Sequence, residues 1–402
     1  MPSPDRRLRI LTVTHNYPRF SGDPAGAFVA RIAEGATARG HQVKVIAPHA
    51  PGIPEREKVH GVDVRRFRYA PEGFERVAYT GGLHQGTLRS PWAALALPGF
   101  LLAFNNSVQA ELDGFVPSVV HAHWWFPSGW FVSRGSTPYL VTSHGSDVRL
   151  LERSGLVRRT AGRVFRRAAR VTAVSQFLAN DIKRLLPKLN LEVVLTPMPV
   201  DVASFAGGAR QPKTVPPRIL YAGNLVPSKG VDQLLHAAAT LSRRGADYQL
   251  KILGRGPARS SLESLAHSLG LDKYVTWAPF VPQIQMPVEY GASTVTVLPT
   301  RGRAEGLGLT LVEALLAGSA VVGTPAGGIP EVIRHEETGL LARSDDPVDL
   351  ADQIQRLLLD APLRERLTRA GREQMLQTYS PESTVERFLD LYHAVAHDSS
   401  YR

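Results

Sequence analysis

The chain has no cysteine among its 402 residues, which excludes disulfides, thiolate metal sites and a cysteine nucleophile and fits a reducing compartment. It has no D-x-D pair, so the acidic motif that holds a divalent ion against a diphosphate is missing and no metal site is expected. It also has no apolar run of spanning length. The longest, Trp92–Phe104, is about 13 residues and holds Pro98, short of the ~20 that a transmembrane helix needs. The opening MPSPDRRLRILTV carries charges but no apolar h-region before its first strand pattern, so no signal peptide is expected. Short-period repeats are missing, and low-complexity runs are few.

What is present indicates a folded protein of two domains. Hydrophobic residues make up 43%, and 402 residues exceed what one ordinary core organises. The net charge of +11 is unevenly spread: residues 1–200 hold 26 Lys+Arg against 14 Asp+Glu, and residues 201–402 hold 21 against 22. The first half alone is basic, so an anionic partner is expected there: a membrane surface, an acidic acceptor or a polyanion, and no nucleic acid. The expected location is cytoplasmic, peripheral on the inner face of the membrane. Background arginine usage is the competing account of the same charge.

Strand and helix patterns alternate twice. In the first half, strands are expected at Arg9–Thr14, Val43–Ala47, Val62–Tyr69, Val119–His123, Tyr139–Ser143 and Val171–Val174, with a helix at Ala27–Arg39. Ala203–Pro217 is rich in Gly and Pro and reads as an interdomain linker. The alternation restarts with strands Arg218–Ala222, Gln249–Leu253, Val275–Trp277, Thr294–Leu298 and Ala320–Gly323, and closes with helices ending near Ala396. This is a doubly wound α/β pattern in each half, with ligands expected beyond the carboxyl ends of the strands and a cleft between the halves as the default active site.

The stretch Pro299–Ala326, PTRGRAEGLGLTLVEALLAGSAVVGTPA, reads as loop, helix and strand following a buried strand. Gly306 and Gly308 admit close backbone approach, and the helix start at about Gly308 is an anion site. Glu305 precedes that start and Glu313 lies just inside the helix; eight residues of helix would separate them by ~12 Å. Carboxylates beside a phosphate site need another task, such as accepting hydrogen bonds from vicinal hydroxyls. Phosphate plus diols points to a sugar nucleotide. An isolated Glu pair would be two surface charges; the neighbouring stretches change that. In GNLVPSKG, Lys229 is placed to meet a diphosphate. Gly254-Arg255-Gly256 follows another strand and is either a nucleotide contact or a simple turn. In TSHGSD, His144 reads as a neutral hydrogen-bonding group. His121 and His123 share a strand face and read as packing residues, a two-ligand metal site being the weaker account. The segment Leu151–Arg170 reads as a basic amphipathic helix with a solvated face and Leu156, Val164 and Phe165 turned to the core, membrane or polyanion contact being the weaker account.

Taken together, EGLGLTLVEALLAG, GNLVPSKG, LKILGRGP, TSHGSD, VTAVSQFLANDI and GTPAGGIPEVIRHEETGLL resemble glycosyltransferase family 4, retaining enzymes of the GT-B fold, in the family's order from about residue 10 to 345. The resemblance implies two Rossmann-like domains facing across a cleft: 1–202 on the acceptor side, a 203–217 linker, 218–380 binding the nucleotide sugar, and a 381–402 helix crossing back. It implies a UDP-, GDP- or ADP-sugar donor, no cofactor, and a glycan, lipid or small-molecule acceptor. Glu305 would contact the donor sugar and Glu313 the ribose diol. The backbone of Leu307, Gly308 and Leu309 would cradle the diphosphate, with Lys229 neutralising it. His144 would lie near the anomeric centre, Gly26 beside the phosphate, and Asn224 and Gly254 in the donor site. The family usually has Arg where this chain has Asn224, so a charge is missing there unless Lys229 suffices or Arg301 or Arg303 substitutes. Acceptor contacts are expected around Arg19–Gly26, Phe67–Leu88 and Trp124–Gly129. Three rivals remain open: a glycosidase using the two glutamates, a GT-B sugar-nucleotide epimerase, and a non-catalytic nucleotide-sugar-binding scaffold.

Overall fold

A computed structural model describes residues 7–79, 91–279 and 281–397. The chain divides into two compact units, Met1–Pro199 with Pro381–Arg402, and Val200–Ser380.

The first unit is built on an eight-stranded sheet. Its strands are β1 (Arg9–Val13), β2 (Gln42–Pro48), β3 (Arg56–Val59), β4 (Val62–Phe67), β5 (Val119–His123), β6 (Tyr139–Ser143), β7 (Arg170–Ala173) and β8 (Val193–Leu195). They run in the order β3-β4-β2-β1-β5-β6-β7-β8, all parallel except β3 against β4. The central strands read as unbroken apolar runs because helices cover both faces; β5 and β6 are buried at every position. Chain order reverses between β1 and β5, so the loops leaving their carboxyl ends open at a topological switch point.

Crossover handedness sorts the helices. The chain moves one way from β1 to β2 through the first helix, Ala27–Ala38, and the opposite way from β4 through β8. Right-handed connections then place the long helix Pro91–Phe115, the short turns Trp125–Val132, the basic helix Gly155–Arg167 and the helix Gln176–Leu185 on the other sheet face. The closing helix, Pro381–Ala396, packs on the first helix. Gly35 makes room for it, since a Cβ there would stand 2.5 Å from Val385 Cγ2.

The second unit has six parallel strands: β9 (Arg218–Ala222), β10 (Gln249–Leu253), β11 (Val275–Ala278), β12 (Val295–Leu298), β13 (Ala320–Gly323) and β14 (Leu340–Leu341). Their order is β11-β10-β9-β12-β13-β14, with the switch point between β9 and β12.

Three sequence expectations change. The Gly/Pro-rich stretch 203–217 is no linker: Val202–Gly208 is a helix capped by Asp201, whose carboxylate accepts from Ser204 N–H at 3.0 Å. Lys213 then donates to three carbonyls of the second unit, those of Gly291, Ser293 and Gly318, at 2.6–2.9 Å, so the boundary falls at Pro199–Val200. The basic helix is shorter than 151–170, because Ser154 caps it at Gly155 and Arg167 ends it. Leu156 in its first turn is 75% exposed rather than turned inward, while Val164 and Phe165 are buried. The expected acceptor loop Phe67–Leu88 is described only to residue 79, and 80–88 lie outside the described residues.

Candidate functional site

In the second unit, the two loops at the switch point are pressed together. Gly230, at φ 67°, has its α-hydrogen against Pro299; a Cβ would lie 1.9 Å from that carbonyl oxygen. Arg301 N–H donates to Ser228 O at 2.9 Å across the same seam. This seam brings Lys229 Nζ to 2.6 Å from Glu305 Oε2, two residues 76 apart in sequence. Both side chains are mostly covered, at 18% and 16% exposure, so the ion pair is held in a pocketed rather than a bulk-water setting.

The Glu305 backbone is set by the loop after β13. Gly328 N–H donates to Glu305 O at 3.1 Å, and Gly327, at φ 57°, leaves no space for a Cβ, which would fall 1.8 Å from that oxygen. Leu307 is buried beneath, and Gly308, at φ 95°, caps the helix Leu309–Leu316 in a left-handed conformation that only glycine adopts freely. Leu311 N–H is taken by Gly308 O at 2.9 Å, and the N–H groups before it precede the helical ladder and carry the positive dipole end. A cation, a carboxylate and a helix start therefore converge beside one switch point.

Glu313 sits one turn deeper with its own partners. Gln283 Nε2 donates to Oε1 at 2.9 Å and the Tyr290 hydroxyl to Oε2 at 3.1 Å. Burial, reinforced by the Glu313 charge, raises the Tyr290 phenol well above its ordinary value, so it remains a donor. Neither Gln283 nor Tyr290 was marked by any sequence signal; they arrive from a separate turn and helix 23–30 residues away.

The remaining donor-side expectations fare differently. Asn224 contributes its backbone oxygen to the Tyr221 hydroxyl at 2.9 Å. The Arg301 guanidinium, one of the two offered for the arginine missing there, is bound to Asp232 at 2.7 and 2.8 Å and to Asp345 at 2.7 Å. Gly254 has a packing task, since a Cβ would lie 2.0 Å from Gly223 O, and Gly256 stands likewise against Leu225 O. The G-R-G turn thus buttresses the loop that carries Lys229.

In the first unit, Gly26 takes φ 67° at the start of the first helix, and a Cβ would strike Asn16 O at 2.1 Å. His144 follows β6. Its Nε2 is 3.1 Å from His123 Nδ1, and its ring lies 4.3 Å from Trp124 and 4.9 Å from Phe28. Asp147 fixes the loop by accepting from His144 N–H at 3.0 Å, Gly145 N–H at 3.1 Å and Trp125 N–H at 3.2 Å. Burial, then the neighbouring His123, holds His144 well below the ordinary histidine value, so its imidazole is neutral. His121 is spent structurally: Nδ1 meets the Tyr392 hydroxyl and Nε2 the Thr142 hydroxyl, both at 2.7 Å, leaving no lone pair for a metal. Among the described residues no three of His, Asp or Glu cluster as metal ligands would.

Comparison with known proteins covers both units. Residues 25–196 match the model of the glycosyl transferase 4-like domain, and residues 209–374 that of glycosyl transferases group 1. The D-inositol 3-phosphate glycosyltransferase of Salinispora tropica is 28% identical over 430 residues, covering 96% of this chain and 85% of that protein. Among solved structures, sucrose-phosphate synthase from Thermosynechococcus elongatus aligns with a TM-score of 0.77 at 23% identity, covering 96% of this chain and 99% of that one. Anabaena Alr3699/HepE, in complex with UDP and glucose, aligns at 0.69 with 16% identity over 96% and 100%. Likeness at these identities concerns the fold, which is GT-B: two Rossmann-like units, each on a parallel-dominated sheet.

Proposed function

This chain belongs to glycosyltransferase family 4, and we propose that it moves a hexosyl group from a nucleoside-diphosphate sugar to an acceptor hydroxyl, with retention of configuration and without a metal ion. The observation that carries the reading is the Lys229–Glu305 pair beside the Gly308 helix start. A diphosphate and a sugar hydroxyl together offer each member a better partner than the other: the phosphate takes the ammonium, and the hydroxyls donate to the carboxylate. Glu313, already accepting two hydrogen bonds, exchanges them for the ribose diol.

The chemistry follows from where charge appears. As the bond from the anomeric carbon to the phosphate oxygen breaks, negative charge grows on the diphosphate and positive charge on the sugar. Lys229 and the N–H groups from Leu307 to Leu309 stabilise the first. The acceptor oxygen attacks from the leaving-group side, and the departing phosphate oxygen takes its proton, which keeps the configuration. Neutral His144 hydrogen-bonds the sugar without adding a cation beside the developing positive centre, and Gly26 leaves the backbone open to phosphate. Support for a nucleotide donor also comes from Alr3699/HepE, which was solved with UDP and glucose.

Asn224 and the committed Arg301 favour a second reading, a nucleotide-sugar binder that does not turn over. Thermal-shift titration with UDP, GDP, ADP and their sugars, followed by transfer assays over an acceptor panel, separates the two. Transfer is expected with one base, and Glu305→Gln should lower kcat at least about a hundredfold with the fold intact. Binding without transfer to any acceptor would favour the scaffold, and full activity in Glu305→Gln would remove that residue from the mechanism.

A further inference from the structure

The two helical faces of the first unit differ in charge. The helices on the long-helix side, from Pro91–Phe115 to the turn Pro187–Leu189, hold nine Lys and Arg against four Asp and Glu. Three of those acids, Glu111, Asp147 and Asp181, are buried, so Asp113 is the one exposed acid of these helices. On the opposite face, the first and closing helices hold two basic residues against four acidic ones. Arginine-rich background usage would fall on both faces alike. Among the helices of this unit the basic excess is confined to one side of the sheet.

That side also exposes apolar residues in register. Along the long helix, Leu95, Pro98 and Leu102 stand on one solvent face, with Leu95 at 73% and Leu102 at 65% exposure. The stretch Pro91–Ala110 contains no charged residue. One turn further on the same face, Asn106 opens on a pocket of about 270 Å³ whose wall carries Glu55, Arg56, Arg65, Arg66 and Arg68, with Arg65, Arg66 and Arg68 paired to Glu111, Glu57 and Glu55. Across the layer, the basic helix presents a second stripe at helical spacing: Leu156, Arg159, Arg163 and Arg166, all exposed, the three arginines carrying no ion pair among the described residues. Its core side, Ala161, Val164 and Phe165, is buried, so the arginines face outward.

We propose that this helical face seats the protein on an anionic phospholipid bilayer, with the Leu95–Leu102 stripe entering the headgroup–acyl boundary and the arginine stripe lying over lipid phosphates. A bilayer fits because the two stripes lie on separate helices of one layer, and it presents negative charge and apolar depth over such a breadth. A linear polyanion accounts for the arginines but leaves the exposed leucines without a partner. No described helix is long and apolar enough to cross a membrane, so the contact is a surface one. The seat rests on residues outside the donor loops, and its test needs no donor or acceptor.

The experiment is sedimentation of the full chain with phosphatidylcholine vesicles, with and without phosphatidylglycerol, over a salt series. Binding is expected only with the anionic lipid and should weaken as salt shortens the screening length. The variant R159Q/R163Q/R166Q should partition about a hundredfold more weakly, at roughly fivefold per arginine. Leu95→Ser with Leu102→Ser should lose roughly tenfold per leucine and blunt the salt-resistant part of binding. Arg387→Gln, on the opposite face, should bind as the parent does. Circular dichroism and UDP-, GDP- or ADP-sugar binding serve as the check that each variant is folded. Equal loss in Arg387→Gln, undiminished binding in both stripe variants, or retention by polyphosphate with no binding to anionic vesicles would each overturn the proposal.

Discussion

Acid should unfold the first unit before it touches the second, and the buried histidines set the amount. His121 and His123 are fully buried, and burial holds both well below the ordinary value of 6.5. A depressed histidine is neutral in the fold and protonates in the unfolded chain, so its stabilising contribution is complete above about pH 6.5 and drains away as pH falls below it. Each such site loses about 1.4 kcal/mol between pH ~7.5 and ~5.5, and the pair about 3 kcal/mol, a large part of the 5–15 kcal/mol typical of a domain. His144 and His41 move in the same direction but are not fully buried, so each adds less. Asp147 acts oppositely, since burial raises its carboxyl, and three backbone N–H donors counter part of that rise. Four of the five tryptophans, Trp92, Trp124, Trp125 and Trp130, belong to the first unit. In a Trp277→Phe background, urea melts followed by fluorescence report that unit alone. The expected outcome is a fall of at least about 3 kcal/mol from pH ~7.5 to ~5.5, smaller by about 1.4 kcal/mol in His121→Gln. A shift below about 1 kcal/mol, or an undiminished shift in the variant, would refute the assignment.

Other expectations concern the donor loops. Lys229→Ala should weaken nucleoside diphosphate binding about ten- to a hundredfold while sparing the nucleoside, by calorimetric titration; equal losses would contradict its role. Glu313→Gln should instead weaken nucleoside and diphosphate by the same factor, roughly tenfold, if it holds the ribose. Gly327→Ala, with a Cβ 1.8 Å from Glu305 O, should destabilise the second unit by about 2 kcal/mol or more and displace donor binding. Gly245→Ala is its control: φ is 76° with open space around the added carbon, so about 1 kcal/mol of strain and unchanged donor affinity are expected.

The sheet strands were readable because burial on both faces leaves an uninterrupted apolar signature, as in VVHAH, YLVTS and AVVG. β3 was missed for the converse reason: REKV is an antiparallel edge strand, largely solvent-facing and charged. The supposed linker misled because Gly and Pro mark irregular backbone, not a lack of packing. Asp201 with Ser204 three residues on was the capping signal that could have corrected it. At the site, spacing revealed Glu305, Gly308 and Glu313, which share one loop and helix. It was silent on Gln283, Tyr290 and the double anchoring of Arg301, because those depend on pairings between distant segments.

The closing helix gives the chain an unusual timetable. Residues 200–380 interrupt the first unit, whose sheet is supplied before residue 199 but whose last layer arrives only with residues 381–396. During synthesis the second unit can therefore mature first, while the earlier-made layers wait with Gly35 and His121 uncovered until Val385, Phe388 and Tyr392 leave the ribosome. A nascent chain stalled before that point would be half-finished at its front and complete at its rear, and chaperones would meet the front.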